Sequence, residues 1–211
     1  LSVESFGEAP YVPLKDEGVK FSPVEMDLRL PPSARAHFLP LFSGFVGADA
    51  LGVALALDLG RKNLSKPVLA LDLGTNVEIL LAGPGGDLWC ASTPAGPAFE
   101  GGEIHCGMSS VLGAISEIDI REGQLEIRTI EGAPAAGICG TGLIEVAGCL
   151  LGLGVLEDSG RILPAEELPP GVSESVRARI VEKDGGRQFV LEEAARSASG
   201  SPIYLDQWDV R

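Results

Sequence analysis

Three short stretches of this chain hold residue types that can do chemistry. The first is Asp72-Leu73-Gly74-Thr75-Asn76, an acid closing one apolar run and a glycine turn opening a second. A glycine turn lets successive backbone N–H groups point at one phosphate, and Thr75 and Asn76 add neutral donors. Asp72, at the end of a buried strand, suits the water shell of a magnesium ion. The plain alternative is a hairpin turn, for which these are ordinary residues. The second stretch is Gly137-Ile138-Cys139-Gly140-Thr141-Gly142, leading into an apolar helix. A glycine-rich turn there brings unpaired N–H groups and the positive end of the helix dipole to one spot, which suits a phosphate. Glycine also serves close helix–strand packing, so this stretch too has a purely structural alternative. The third runs from Ser92 and Thr93 through Pro94, Gly96, Pro97, Glu100, Gly101, Gly102 and Glu103 to His105 and Cys106. Glu103, His105 and Cys106 are too close in sequence to converge from one strand or helix, so a metal site built from them is disfavoured. The Pro/Gly skeleton points instead to a rigid exposed loop, where binding residues tend to lie.

The elements that must position these stretches follow from apolar patterning. Residues 68–73, 77–82 and 88–92 are short apolar runs joined by tight turns, an antiparallel three-stranded meander. A helix is expected around 104–115, a hairpin from 118–120 and 124–130, and an almost wholly apolar, widely covered helix over 142–153. Upstream, Val24 to Leu30 alternates with period two and predicts a short strand. Asp49 is expected to cap a buried helix running to about Leu59, with Gly60 as its stop. Pro10, Pro13, Pro23, Pro31 and Pro32 break up the first 35 residues. Downstream, residues 176–181 and 187–191 flank Asp184-Gly185-Gly186, a hairpin signal. A last strand is expected at 203–205, with Asp206 capping a helix beyond it.

Composition narrows the function classes. With 45% hydrophobic and 22% charged residues among 211, the chain is a globular protein long enough to bury a core. A formal charge of −14 argues against nucleic acid, which needs clustered Lys and Arg. The four cysteines, Cys90, Cys106, Cys139 and Cys149, show no C-x-x-C spacing and read as buried free thiols. The longest apolar stretches are too short or too interrupted to span a bilayer, and no signal segment precedes them. The expectation is a cytoplasmic protein and a piece of a longer chain.

Taken in order, the Asp72–Asn76 motif with Glu78-Ile79, the Ser-Thr-Pro-Ala-Gly-Pro-Ala-Phe-Glu-Gly-Gly segment beginning at Ser92, and Gly137 to Ile144 resemble the C-terminal domain of the reductive activators of corrinoid proteins. Gly44-Phe45-Val46-Gly47-Ala48-Asp49 is similar to the same family. The resemblance runs from about residue 38 to about 165, and more loosely to the end. It implies an α/β fold: a ribonuclease-H-like, actin-like ATPase lobe with an antiparallel meander, a mixed sheet and flanking helices, plus a β-hairpin extension. Residues 1–66 would lead in from a preceding lobe, 67–165 would form the lobe with the phosphate loop, and 166–211 the extension.

The same resemblance implies ATP or ADP with magnesium in the intact protein, and an iron–sulfur cluster in a module outside this chain. Asp72 would be the catalytic and magnesium-linked acid. Gly74, Thr75, Asn76, Gly140, Thr141 and Gly142 would line the nucleotide. Ser92, Thr93, Gly101 and Gly102 would face the corrinoid, a hydroxyl offering a weak axial oxygen to cobalt. The partner would be a corrinoid protein, and a homodimer is compatible with the family. The chain departs from the family pattern in lacking the first phosphate loop and in carrying Val77 where a small residue is common. That departure leads to the expectation that the isolated chain is inactive. A sugar- or acetate-kinase-like lobe and a non-catalytic scaffold are the alternatives; a kinase would need an acceptor site and base, and no residue set supplies them.

Overall fold

The computed structural model describes residues 17–31, 33–61, 63–183 and 185–211. Pro10, Pro13, Pro32 and Asp184 therefore lie outside the described residues. The chain divides into two compact units, 1–95 and 96–211.

The first unit opens with β1 (Val19–Phe21) paired antiparallel to β2 (Ala36–Phe38), with Phe21 and Phe38 edge to face at 5.7 Å. Between them the alternating segment is not a strand: Val24–Met26 is a single 3-10 turn. Local hydrogen bonding overrides the pattern, because the Ser22 N–H and hydroxyl both donate to the Glu25 carboxylate, at 2.6 and 2.7 Å. Helix α1 (Ala48–Ala56) starts two residues earlier than expected, with Gly47 rather than Asp49 as its cap. Asp49 sits inside the first turn and accepts the Ala50 N–H at 3.0 Å. The helix stops before Leu59 because Asp58, not Gly60, takes the left-handed conformation (φ 53°). The Leu59 N–H then donates back to the Ala54 carbonyl at 2.9 Å, and the Leu59 side chain is buried.

The meander is formed by β3 (Val68–Leu73), β4 (Asn76–Ala82) and β5 (Leu88–Pro94). Period two places Val68, Ala70, Leu80, Ala82, Leu88 and Cys90 on one face, against Ala50, Ala54 and Leu59. On the opposite face Leu69, Leu71, Leu73, Leu81 and Trp89 are exposed.

The second unit contains a mixed sheet, in which β6 (Ala114–Arg121) pairs antiparallel with β7 (Gln124–Thr129) and parallel with β8 (Gly137–Ile138). The helix expected over 104–115 does not form. There the Met108 N–H donates to the Ile138 carbonyl and the Ile138 N–H to the Cys106 carbonyl, at 2.9 and 2.8 Å, so this backbone is drawn out along β8. Gly113, at φ 80°, then turns the chain into β6. Helix α2 (Gly140–Leu153) buries Gly142, Val146 and Leu150, a stripe at four-residue spacing, against Ile115 and Ile138. It is less covered than its composition suggests: Ile144 and Leu151 are exposed and line an open apolar groove with Phe99 and Val210.

Beyond α2, a one-turn helix α3 (Glu174–Arg177) takes up the start of the segment expected as strand from Val176. Arg177 donates to the carbonyls of Ala165, Val172, Leu168 and Pro169, which ties the irregular 165–172 segment to α3. The hairpin of β9 (Ile180–Lys183) and β10 (Gly186–Glu192) is extended to three strands by β11 (Ile203–Asp206). Phe189 and Leu191 of β10 and Ile203 and Leu205 of β11 join the same core as Val146 and Leu150. The result is a mixed α/β architecture with a meander, a mixed sheet and a hairpin-based extension. No helix among the described residues is long and apolar enough to cross a membrane.

Candidate functional site

The register of the meander decides what stands beside the Gly74 turn. Asp72 is paired with Glu78 and Leu73 with Val77 across β3 and β4, while Glu78 is paired with Ser92, Val77 with Thr93 and Asn76 with Pro94 across β4 and β5. Asp72, Glu78 and Ser92 therefore form a row on one face, at the same end of the sheet as Gly74, Thr75 and Asn76. The Ser92 hydroxyl donates to Glu78 Oε1 at 3.0 Å. Two directly opposed carboxylates repel in a ladder, and a donor or cation near them relieves that repulsion. The turn itself is tied down: the Gly74 N–H donates to the Asn76 carbonyl at 3.0 Å and the Ala95 N–H to the Thr75 carbonyl at 2.9 Å. The Gly74 N–H is thus taken up inside the turn. Thr93 lies on the other face, beside Val77 and Leu73, and is exposed.

Gly140, Thr141 and Gly142 belong to the second unit and form the first turn of α2. A Cβ on Gly140 would run into the Phe99 carbonyl and one on Gly142 into the Ile115 carbonyl, so close packing alone requires both glycines. The capping residue is Cys139, buried, with its thiol donating to the Ile115 carbonyl at 3.2 Å and lying 3.2 Å from the Thr141 hydroxyl. Burial pushes this thiol up. The nearby Thr141 hydroxyl, Gly142 N–H, Ser110 and Thr141 N–H outweigh it, and the thiol lies below its ordinary range. The sulfur lies beside the first turn of α2 without accepting a capping hydrogen bond from it. Cys90, Cys106 and Cys149 are only half-buried, so the expectation of buried free thiols holds fully for Cys139 alone.

Gly101 and Gly102 are also explained by their own chain. A Cβ on Gly101, at φ 84°, would fall 2.5 Å from the Met108 nitrogen, and one on Gly102 would fall 2.9 Å from Pro97 Cβ. The close approach they permit is within the 97–108 loop.

A cluster absent from the sequence reading lies at the end of that loop. His105 Nδ1 is 3.0 Å from Asp209 Oδ1 and 3.2 Å from Asp206 Oδ2. The Asp209 hydrogen bond, with both carboxylate charges, raises the imidazole above its usual value. Glu103 and Cys106, the neighbours considered as ligands with His105, are not in the group. Its other members come from a hundred residues downstream, which no local spacing could reveal. The helix expected beyond Asp206 does not form: residues 207–210 make a turn, in which the Asp206 carboxylate accepts the N–H groups of Trp208 and Asp209 at 2.7 and 2.9 Å. Among the described residues this is the one convergent group of three potential metal ligands, and it contains no cysteine.

Comparison with known proteins places these features in a family. Residues 66–211 match the model of the C-terminal ASKHA domain of RACo, and residues 1–62 match the RACo middle region. The corrinoid activation enzyme RamQ of Eubacterium limosum is 29% identical over the whole chain, which spans 34% of that protein. A [Co(II) methylated amine-specific corrinoid protein] reductase of Methanosarcina barkeri is 32% identical over 69% of the chain and 30% of its own length. The solved structure of a reductive activator for a corrinoid, iron–sulfur protein superposes with a TM-score of 0.76 at 30% identity, covering 97% of the chain and 31% of the activator. The chain thus spans about a third of the length of the relatives it matches.

Proposed function

Since the chain belongs to the RACo family, through its middle region and its C-terminal ASKHA domain, we propose that it is part of an ATP-dependent reductive activator that returns a corrinoid protein from Co(II) to Co(I). The single observation that carries the reading is the register of the meander, which sets Ser92 and Thr93 beside the Gly74 turn. A nucleotide-dependent change in that turn would be felt directly by the segment expected to meet the corrinoid. In this reading residues 1–66 lead in from a preceding lobe, 67–165 carry the phosphate turn, and 166–211 form the extension. The whole protein would be cytoplasmic, and its oligomer a homodimer.

The reaction adds one electron to cobalt. The electron would come from an iron–sulfur module elsewhere in the protein, a view favoured by the absence of any cysteine grouping among the described residues. The low potential of the cobalt couple calls for an outside driving force, and ATP would provide it by biasing a two-state domain that both partners read. The donor set around Asp72 fits a magnesium-linked nucleotide: an acid at a strand end, a second carboxylate opposite, and the Thr75 and Asn76 side chains at the turn. When bound, the nucleotide supplies phosphate charge and its magnesium. Asp72 would hold the water shell of that ion, and Thr75 and Asn76 would orient the phosphates. Gly74 could contribute its N–H only by releasing the Asn76 carbonyl. On the second unit, Gly140, Thr141 and Gly142 would approach the nucleotide with Cys139 beside them.

At the corrinoid, Ser92 or Thr93 would offer neutral oxygen to cobalt, and Gly101 and Gly102 would shape the loop. A weak axial oxygen can occupy Co(II) and leave as Co(I) forms, whereas thiolate would resist reduction. The test is reduction of a Co(II) corrinoid protein by the full-length activator, with and without ATP, comparing wild type with Asp72→Ala. ATP-stimulated formation of Co(I) that Asp72→Ala abolishes supports the reading. Reduction indifferent to both ATP and Asp72 overturns it.

A further inference from the structure

The group at His105 has features of a built site. The Asp209 side chain has no exposed area and that of Asp206 only 9%, whereas the imidazole is half exposed. Both carboxylates are aimed by the main chain. Asp206 Oδ1 takes the N–H groups of Trp208 and Asp209, which leaves Oδ2 turned toward His105. Asp209 Oδ2 takes the Asp206 N–H at 3.0 Å, and its Oδ1 takes the His105 N–H at 2.9 Å while facing Nδ1. Outer hydrogen bonds of this kind orient metal ligands and tune their basicity.

Charge and distance point the same way. Two carboxylates facing one imidazolium leave a net negative charge, part of it on a carboxylate out of contact with water, which is unfavourable. A divalent ion with neutral imidazole brings the three ligands and the ion to zero. Lys183 lines the same pocket but is exposed, so solvent screens its charge. Zinc bonds of about 2.0–2.1 Å at tetrahedral angles set donor atoms about 3.3–3.4 Å apart. The spacings of 3.0 and 3.2 Å from Nδ1 need to open only slightly to admit such an ion. His105 and Asp206 line a pocket together with Gln188, Tyr204 and Trp208, which gives the ion an entry path. An imidazole with two carboxylates suits a transition ion of the zinc type better than magnesium or calcium, which prefer all-oxygen sets.

We propose that His105, Asp206 and Asp209 bind one divalent transition-metal ion, which fastens the end of the 97–108 loop to the end of β11. The ion's role would be structural, reinforcing two segments that here meet through the hydrogen bonds of Asp209 and His105.

The test uses the 211-residue chain stripped with a chelator, titrated with zinc by calorimetry, and melted with and without zinc. The expected result is one zinc per chain, a higher melting temperature with zinc, and affinity reduced at least about tenfold by His105→Ala and by Asp206→Asn. His105→Ala carries the decision, because its half-exposed side chain can be removed without opening the core, as circular dichroism of the zinc-free variant will show. Cys106→Ser controls for thiol capture and should leave stoichiometry and affinity unchanged. Absence of zinc binding, binding that survives His105→Ala, or binding lost with Cys106→Ser would each overturn the proposal.

Discussion

Ser92 Oγ donates to Glu78 Oε1 at 3.0 Å across the β4–β5 ladder. The hydroxyl is therefore aimed by a carboxylate, with its own lone pairs left for another partner. Because Glu78 is in turn opposite Asp72, one row of three side chains joins the strand before the Gly74 turn to the strand that leads out to the 92–102 segment. Thr93 is on the opposite face, so the two hydroxyls cannot serve the same ligand in the same way.

Ser92→Ala and Thr93→Ala in the full-length activator should consequently behave differently. Whichever hydroxyl reaches cobalt will, when removed, change the absorption spectrum of the Co(II) corrinoid in the complex and slow or speed its reduction. The other should leave both unchanged. Identical, wild-type behaviour of both variants would make the loop structural.

The glycines of α2 separate into two kinds that a melting experiment can tell apart. Gly142→Ala places a methyl group against the Ile115 carbonyl and should destabilise the chain by about 1–3 kcal/mol. Gly152→Ala meets nothing within 4 Å and is exposed, so it should stabilise by about 0.5–1 kcal/mol through helix propensity. Denaturant unfolding of the two variants checks both signs.

This contrast also shows what sequence patterning carries and what it omits. The strands of the meander and the hairpins could be read because each is a local apolar run between turn residues. The helix expected over 104–115 failed because Cys106, Gly107 and Met108 are held by Ile138, a partner thirty residues away. Val24 to Leu30 failed for the opposite reason: a bond as local as Ser22 to Glu25 outcompeted a period-two pattern with no sheet to join. The His105 group was invisible because its acids come from the far end of the chain. In the meander, by contrast, the Asp72, Glu78 and Ser92 row follows directly once the two turns are placed.

Arg177 provides a test of how the extension is held. Its guanidinium donates to the carbonyls of Ala165, Leu168, Val172 and Pro169. Removing it takes a donor from each of these carbonyls, of which Pro169 keeps the Val172 N–H at 3.1 Å. Arg177→Ala should cost about 2–4 kcal/mol, and Arg177→Lys should recover only part of it because an ammonium group cannot reach four acceptors in that planar arrangement. Urea unfolding measures both, and a loss under about 0.5 kcal/mol for the alanine variant would contradict this account.

The isolated chain should bind ATP weakly or not at all. Three observations lead there. The Gly74 N–H is occupied by the Asn76 carbonyl. The first turn of α2 is packed so that Gly140 and Gly142 lie directly against the Phe99 and Ile115 carbonyls, which leaves no room for a phosphate there. Finally, the chain spans about a third of its relatives' length, so the remaining phosphate contacts of a two-lobed cleft would come from elsewhere. Calorimetry of magnesium-ATP into the 211-residue chain should give no binding tighter than about 1 mM, equivalent to about −4 kcal/mol. The full-length activator should bind more tightly, and Asp72→Ala should weaken that binding. Tight one-to-one binding by the chain alone would mean that the Gly74 turn opens readily and that no second phosphate loop is needed.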